Sequence, residues 1–108
     1  MADDKPAPKA NGAEPMTLVL RKSVIANGDE VKELKFREPT GGDIARAGNP
    51  VILDFSKDPP GFTYDVRAME LMMAMLAAVP PTTIKAMHTK DWENGALMLA
   101  GFFVPDAI

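Results

Sequence analysis

Apolar and polar positions alternate along the first third of the chain and recur at helical spacing along the last. Thr17-Leu18-Val19-Leu20-Arg21-Lys22-Ser23-Val24-Ile25 is rich in β-branched and apolar residues. In Glu30–Arg37 the apolar Leu34 and Phe36 alternate with Lys35 and Arg37. Such a period of two marks a strand with one covered face. Between the runs lies Ala26-Asn27-Gly28-Asp29. Both central residues of a type I′ turn need positive φ, which Asn tolerates and Gly adopts freely, so the pattern predicts a β-hairpin. Val31 is out of phase with Leu34: either the second strand begins late or a bulge lies between them.

Pro39 cannot donate a ladder bond and ends the strand. Thr40 can accept from a backbone N–H of a following helical turn, and Asp43 can reach back to the Thr40 N–H. These signals predict a short helix from Gly41 to about Ala47, stopped by Gly48-Asn49-Pro50. Residues 49–62 hold three prolines and a glycine. They read as an ordered or half-ordered connector, with Val51, Ile52, Leu53 and Phe55 packed on the domain. Asp65 suits an N-cap for a helix from Val66 to about Val79, in which Val66, Met69, Met72, Met73, Leu76 and Val79 form a stripe. Leu71 and Met75 lie off it. From Leu71 onward this helix is apolar nearly all round, so it is sandwiched in a core or covered by a partner. Pro81 suits the first position of a further short helix to about His88, with Ile84 and Met87 inward. Thr89 is the expected cap of a last helix, Lys90 to about Phe103, which Pro105 stops. Asp91 and Glu93 favour its positive end. Trp92, Ala96, Leu99 and Phe103 form its stripe, widened by Leu97, Met98 and Phe102. The expected fold is α+β: an N-terminal β-hairpin followed by a small bundle of three to four helices. It forms a single domain over residues 16–108. Residues 1–15 offer nothing large and apolar after Met1 and are expected to form a disordered tail.

Composition removes whole classes of chemistry. A chain of 108 residues has room for one domain. Its 12 Lys+Arg stand against 15 Asp+Glu, whereas general nucleic-acid binding needs a basic surplus. There is no Cys, and His88 is the single His. Disulfides, thiolate sites, Cys nucleophiles and His-rich metal centres therefore cannot be built within one chain. No catalytic constellation and no cofactor are expected. Ser23 and Ser56 lack a G-x-S-x-G turn, and no P-loop is present. Asp54, Asp58 and Asp65 lack calcium-loop spacing and read as turn carboxylates. Gly41-Gly42 reads as part of the cap, because Asp43 would repel a phosphate there. Lys32, Lys35 and Arg37 interleave with Glu30, Glu33 and Glu38 as a mixed-charge face. The longest apolar run, Leu71–Val79, has nine residues, against about 20 for a membrane span. The acidic N-terminus shows no signal-peptide pattern, so the cytoplasm is the expected address.

Methionine stands out. Met69, Met72, Met73 and Met75 fall within seven residues, with Met87 and Met98 beyond. Such residues fill an irregular core or form an adaptable surface. The surface reading places an exposed apolar groove between Leu71–Val79 and Trp92–Phe103, holding a partner helix or a second copy of the chain. Its partner-binding residues would be Met69, Met72, Met73, Met75, Leu76, Leu97, Met98, Phe102 and Phe103. On this reading Met72→Asp and Leu76→Asp each unfold the chain or abolish binding, and Arg37→Ala is mild unless Arg37 contacts the partner.

Three phrases then carry a family resemblance: Leu34-Lys35-Phe36-Arg37-Glu38-Pro39-Thr40-Gly41-Gly42-Asp43-Ile44, Ala77-Ala78-Val79-Pro80-Pro81-Thr82-Thr83-Ile84, and the Asp91-Trp92 helix ending in Ala100-Gly101-Phe102-Phe103. Over residues 17–104 the chain resembles the small phage tail assembly chaperones of Mu-like and related contractile-tailed phages. Its marks are L-x-x-R-E-P-T-x-G-D and V-P-P-x-x-I. The connector 49–62 departs from the pattern, and Trp92 stands where a smaller aromatic is expected. The resemblance implies a non-enzymatic assembly factor without cofactor. It would bind the long helical tape measure protein and keep it soluble in the host cytoplasm until tail tube subunits polymerise around it. It would be absent from the mature virion. Contacts with tail tube subunits and self-association are further implied options; nucleic acid and membrane are not. No catalytic residues carry over, only the turn and cap positions Arg37, Glu38, Pro39, Thr40 and Asp43. The alternative is a small structural tail or baseplate component retained in the virion. A small transcription regulator or antitoxin ranks lower, because the last helix lacks a basic recognition face.

Overall fold

In the computed structural model, which describes residues 16–104, strand β1 (Met16–Ala26) pairs antiparallel with strand β2 (Asp29–Phe36). The tail expected over residues 1–15 lies outside the described residues. Asn27 (φ 54°) and Gly28 (φ 88°) form the turn. The ladder register breaks between Val19↔Glu33 and Val24↔Val31. The extra residues therefore lie in β1, where 20–23 stand opposite Lys32. Across this bulge Val31 stands opposite the buried Val24, and β2 itself starts directly after the turn. Leu18, Leu20, Val24, Leu34 and Phe36 point into the core, while Val19 and Ile25 face outward.

Helix α1 (Gly41–Ala47) follows, and then a second hairpin, β3 (Val51–Asp54) with β4 (Gly61–Tyr64). Its register runs from Val51↔Tyr64 to Asp54↔Gly61. The connector reading of residues 49–62 is corrected here. Pro50 precedes β3 and Pro59-Pro60 occupy the loop, so no proline interrupts the ladder. The Asp65 N–H donates to the Pro50 carbonyl (2.9 Å) and closes the base of this hairpin.

Helix α2 (Val66–Ala77) starts at the predicted cap: Asp65 Oδ1 accepts from the Ala68 N–H at 3.1 Å. It stops short of Val79. Ala78 turns left-handed (φ 56°), the Val79 N–H reaches Ala74 O (3.0 Å), and the Ala78 N–H reaches Met75 O (3.3 Å). This is the Schellman arrangement that usually employs Gly. A left-handed conformation costs Ala about 1–2 kcal/mol, and part of that returns on substitution as unfolded-chain freedom of Gly. Ala78→Gly is therefore expected to stabilise the chain by about 0.5 kcal/mol. A rise in urea midpoint at unchanged slope checks this; a fall contradicts it.

Helix α3 (Pro81–Lys85) opens on Pro81 as expected, with Ile84 and Met87 buried. The Thr83 hydroxyl donates to Ile25 O (2.7 Å) and ties α3 to β1. Lys85 pairs with Glu70, joining α3 to α2. Helix α4 (Thr89–Ala100) is capped by His88 rather than by Thr89: His88 Nδ1 accepts from the Lys90 N–H at 3.1 Å. It ends at Ala100, ahead of Pro105, and the chain turns back through Phe102 and Phe103. Among the described residues the architecture is thus α+β, two hairpins and four helices. Helix α2 is central: α1, α3, α4 and β2 all pack against it. Leu18, Leu34, Phe36, Met69, Met72, Met73, Leu76, Ile84 and Leu99 share one buried cluster.

Candidate partner-binding surface

Two polar joints hold the outer elements in place. The first lies where β2 leaves its sheet. The Arg37 N–H donates to Leu76 O (3.1 Å), one of the carbonyls that the last turn of α2 cannot satisfy itself. The Arg37 guanidinium donates to both oxygens of Asp43, at 2.7 and 2.9 Å. Asp43 is buried and also accepts from the Thr40 N–H (2.8 Å) and hydroxyl (3.2 Å). The reach from Asp43 back to Thr40 is the one predicted; the bidentate Arg37 adds a charge-assisted clamp. Arg37 hydrogen bonding, with help from the Thr40 N–H, holds the Asp43 pKa far below the usual carboxylate range, and the same pairing raises that of Arg37. Glu38 is exposed and offers its carbonyl to Arg37 (3.3 Å), and Pro39 is half-buried. The R-E-P-T-x-G-D phrase is thus a joint between β2, α1 and α2.

The second joint is absent from the sequence reading. The β1 bulge frees the N–H groups of Arg21 and Lys22 from the ladder, and Asp91 Oδ2 accepts both, at 3.0 and 3.3 Å. Arg21 Nε stands 3.4 Å from Oδ1. Asp91 is buried, so it does more than favour a helix end. Its one sign in sequence is spacing: Asp91, Gly95 and Leu99 lie on one face of α4, and all three are buried. Asp91→Asn keeps an acceptor oxygen and loses the charge. It is expected to cost about 1–2 kcal/mol, read as a lowered urea midpoint; an unchanged midpoint would remove this joint from the account.

The expected groove between α2 and α4 is closed. A β-carbon on Gly95 would lie 3.2 Å from Leu18 Cδ2 and 3.6 Å from Met73 Cε, so the α4 backbone sits directly on the core. No cavity opens among the described residues. Met69, Met72, Met73, Leu76 and Phe103 are buried. The exposed placement expected for them is corrected: α1, α3, α4 and β2 together cover α2, and its Met residues fill the chain's own core. Of the remaining predicted positions, Met75 and Met98 are half-buried, while Leu97 and Phe102 are 65% and 40% exposed.

Of the residues in 49–62 expected to pack on the domain, Val51 is buried and Leu53 half-buried, but Ile52 and Phe55 are exposed, because the strands form a hairpin that presents them outward. Ile52, Phe55 and Phe62 surround the β3–β4 hairpin, and Phe55 is 64% exposed. The hairpin packs chiefly on itself. It is anchored at its base by the buried Pro50 and Val51, and the Phe62 ring meets half-buried Tyr64 edge-on, centroids 5.7 Å apart. Burial, and secondarily the Glu93 carboxylate, push the Tyr64 pKa up. Asp54 accepts from the Ser56 N–H (3.0 Å) and hydroxyl, which lowers its pKa. With Asp65 engaged as the α2 cap, these two carboxylates serve the turns.

Compared with known protein families, the chain matches the model described as phage tail assembly chaperone proteins, E, or 41 or 14, over residues 17–104. No curated protein and no solved structure matches it. The matched span covers nearly all described residues and includes both joints and the β3–β4 hairpin.

Proposed function

The chain belongs to the phage tail assembly chaperone family, and we propose on that footing that it masks apolar helix surface of the tape measure protein, keeping it soluble until tail tube subunits polymerise. One observation supports this reading most directly. The core is closed by the chain's own residues, yet Leu97, Phe102, Phe55, Phe62 and Ile52 stay at the surface. They are not the remnant of an unfilled core, and where such side chains gather into a contiguous patch they mark an interaction surface. Shallow, distributed contacts suit a partner that must later be released: each is weak, and affinity comes from many copies acting along one long helix. Release then proceeds by competition from tail tube subunits, without catalysis, in the host cytoplasm, and the chain leaves before the virion matures.

Co-expression with a tape measure fragment tests this. Wild-type chain should hold the fragment in the soluble fraction. The folded double variants Leu97→Asp/Phe102→Asp and Phe55→Asp/Phe62→Asp should lose that effect, separately or together. Undiminished solubility with both doubles would defeat the surface reading. Finding the chain in purified virions would instead favour a retained structural component.

A further inference from the structure

We propose that Asn27 is a site of spontaneous deamidation in the folded chain, and that the chemically similar Asn94 is shielded from it. The sequence places Gly directly after Asn at 27–28 and at 94–95; a third such pair, Asn11-Gly12, lies outside the described residues. In each pair the glycine N can attack the Asn side-chain Cγ. A new C–N bond closes a five-membered succinimide, and the side-chain nitrogen leaves as ammonia. Water then opens the ring at either carbonyl, giving aspartate or isoaspartate. The net change is amide plus water to carboxylic acid plus ammonia, and no other reactant is needed. Gly is the residue that least obstructs the attack, because it has no Cβ.

The two described pairs differ in what surrounds that nitrogen. Asn27 and Gly28 are exposed at the tip of the first hairpin, beyond the last ladder pair Ala26↔Asp29. Nothing lies within 4 Å of the place a Gly28 β-carbon would occupy. Closing the ring requires only a local rearrangement of a two-residue turn. Gly95 lies inside α4, buried, with Leu18 and Met73 packed where a β-carbon would stand. Bringing Asn94 Cγ onto the Gly95 nitrogen there requires α4 to open and leave the core. Local openings of a turn are far cheaper than loss of a packed helix.

The product matters to this fold. A carboxylate at position 27 joins Asp29 and Glu30 in one exposed turn. Isoaspartate adds a backbone methylene to the turn that sets the β1–β2 register. The hairpin carrying Leu18, Leu20, Val24, Leu34 and Phe36 into the core is thereby weakened from its tip.

Incubation of the full chain in mildly alkaline buffer, followed by peptide mapping by mass spectrometry, tests this. Each converted Asn gains the mass of an amide-to-acid exchange. Conversion of Asn27 should outpace that of Asn94 by roughly tenfold or more in the folded chain. In denaturant the two rates should converge, since both sites are Asn-Gly. Equal rates in the folded chain, faster conversion at Asn94, or an Asn27 that converts only in denaturant would each overturn the proposal.

Discussion

Met72→Asp is expected to leave no cooperative unfolding transition at neutral pH. Met72 is fully buried in the cluster shared with Phe36, Met69, Met73 and Leu76. Truncating a buried Met costs about 2–5 kcal/mol through lost burial and the cavity left behind. A carboxylate adds more, because an unpaired charge in such a site costs several kcal/mol after relaxation. Together these equal or exceed the ~5–10 kcal/mol that a domain of this size holds in reserve. Leu97→Asp provides the contrast. Its side chain stands on the outer face of α4 beside exposed Lys90, Glu93 and Asn94, where substitutions usually stay within about 0.5 kcal/mol. Thermal melts followed by circular dichroism separate the two. A folded Met72→Asp chain would mean that α2 is not the centre of the core.

That contrast shows what the sequence can and cannot reveal. Spacing identified both Met72 and Leu97 as apolar helix positions, and it grouped them as one surface. Which of them faces inward depends on what covers α2: α3 follows it directly, but β2 and α1 come from the other side of the β3–β4 hairpin in sequence. A helix apolar nearly all round carries no internal mark of its covered side. Local signals fared better because their physics is local. Asn27-Gly28 sets a turn by φ alone, Asp65 caps the residue three ahead of it, and Pro81 opens a helix by its own ring. The β3–β4 hairpin is not legible in composition, because the number of prolines says nothing about which positions pair. Asp91 escaped because its partners, the Arg21 and Lys22 amides, lie some 70 residues away and need it only because β1 bulges. The family phrase around Arg37 was legible as a motif, and half of its mechanism, the Asp43 cap, was legible too. The clamp from Arg37 was not, since it depends on β2 and α1 meeting at one corner.

Arg37→Ala is accordingly expected to be far from mild, costing on the order of 2–3 kcal/mol at neutral pH. Half of the Arg37 side chain is exposed, which screens the pair and places it below a fully buried one; Asp43 is 6% exposed and would be left charged without its counter-ion. The remaining Thr40 donors cannot replace a bidentate guanidinium. The pH dependence gives the interaction a signature. Asp43 has a folded pKa depressed below its unfolded value near 4. Its contribution is therefore complete above that value and is lost as pH falls towards the folded one. The stability gap between wild type and Arg37→Ala should be widest at neutral pH and shrink progressively below about pH 4. Urea titrations from neutral to acid pH measure the gap directly. A gap that stays constant across that range would mean the guanidinium contributes packing rather than charge, and the joint linking β2, α1 and α2 would then rest on the Arg37 backbone bond to Leu76 and the Thr40–Asp43 cap.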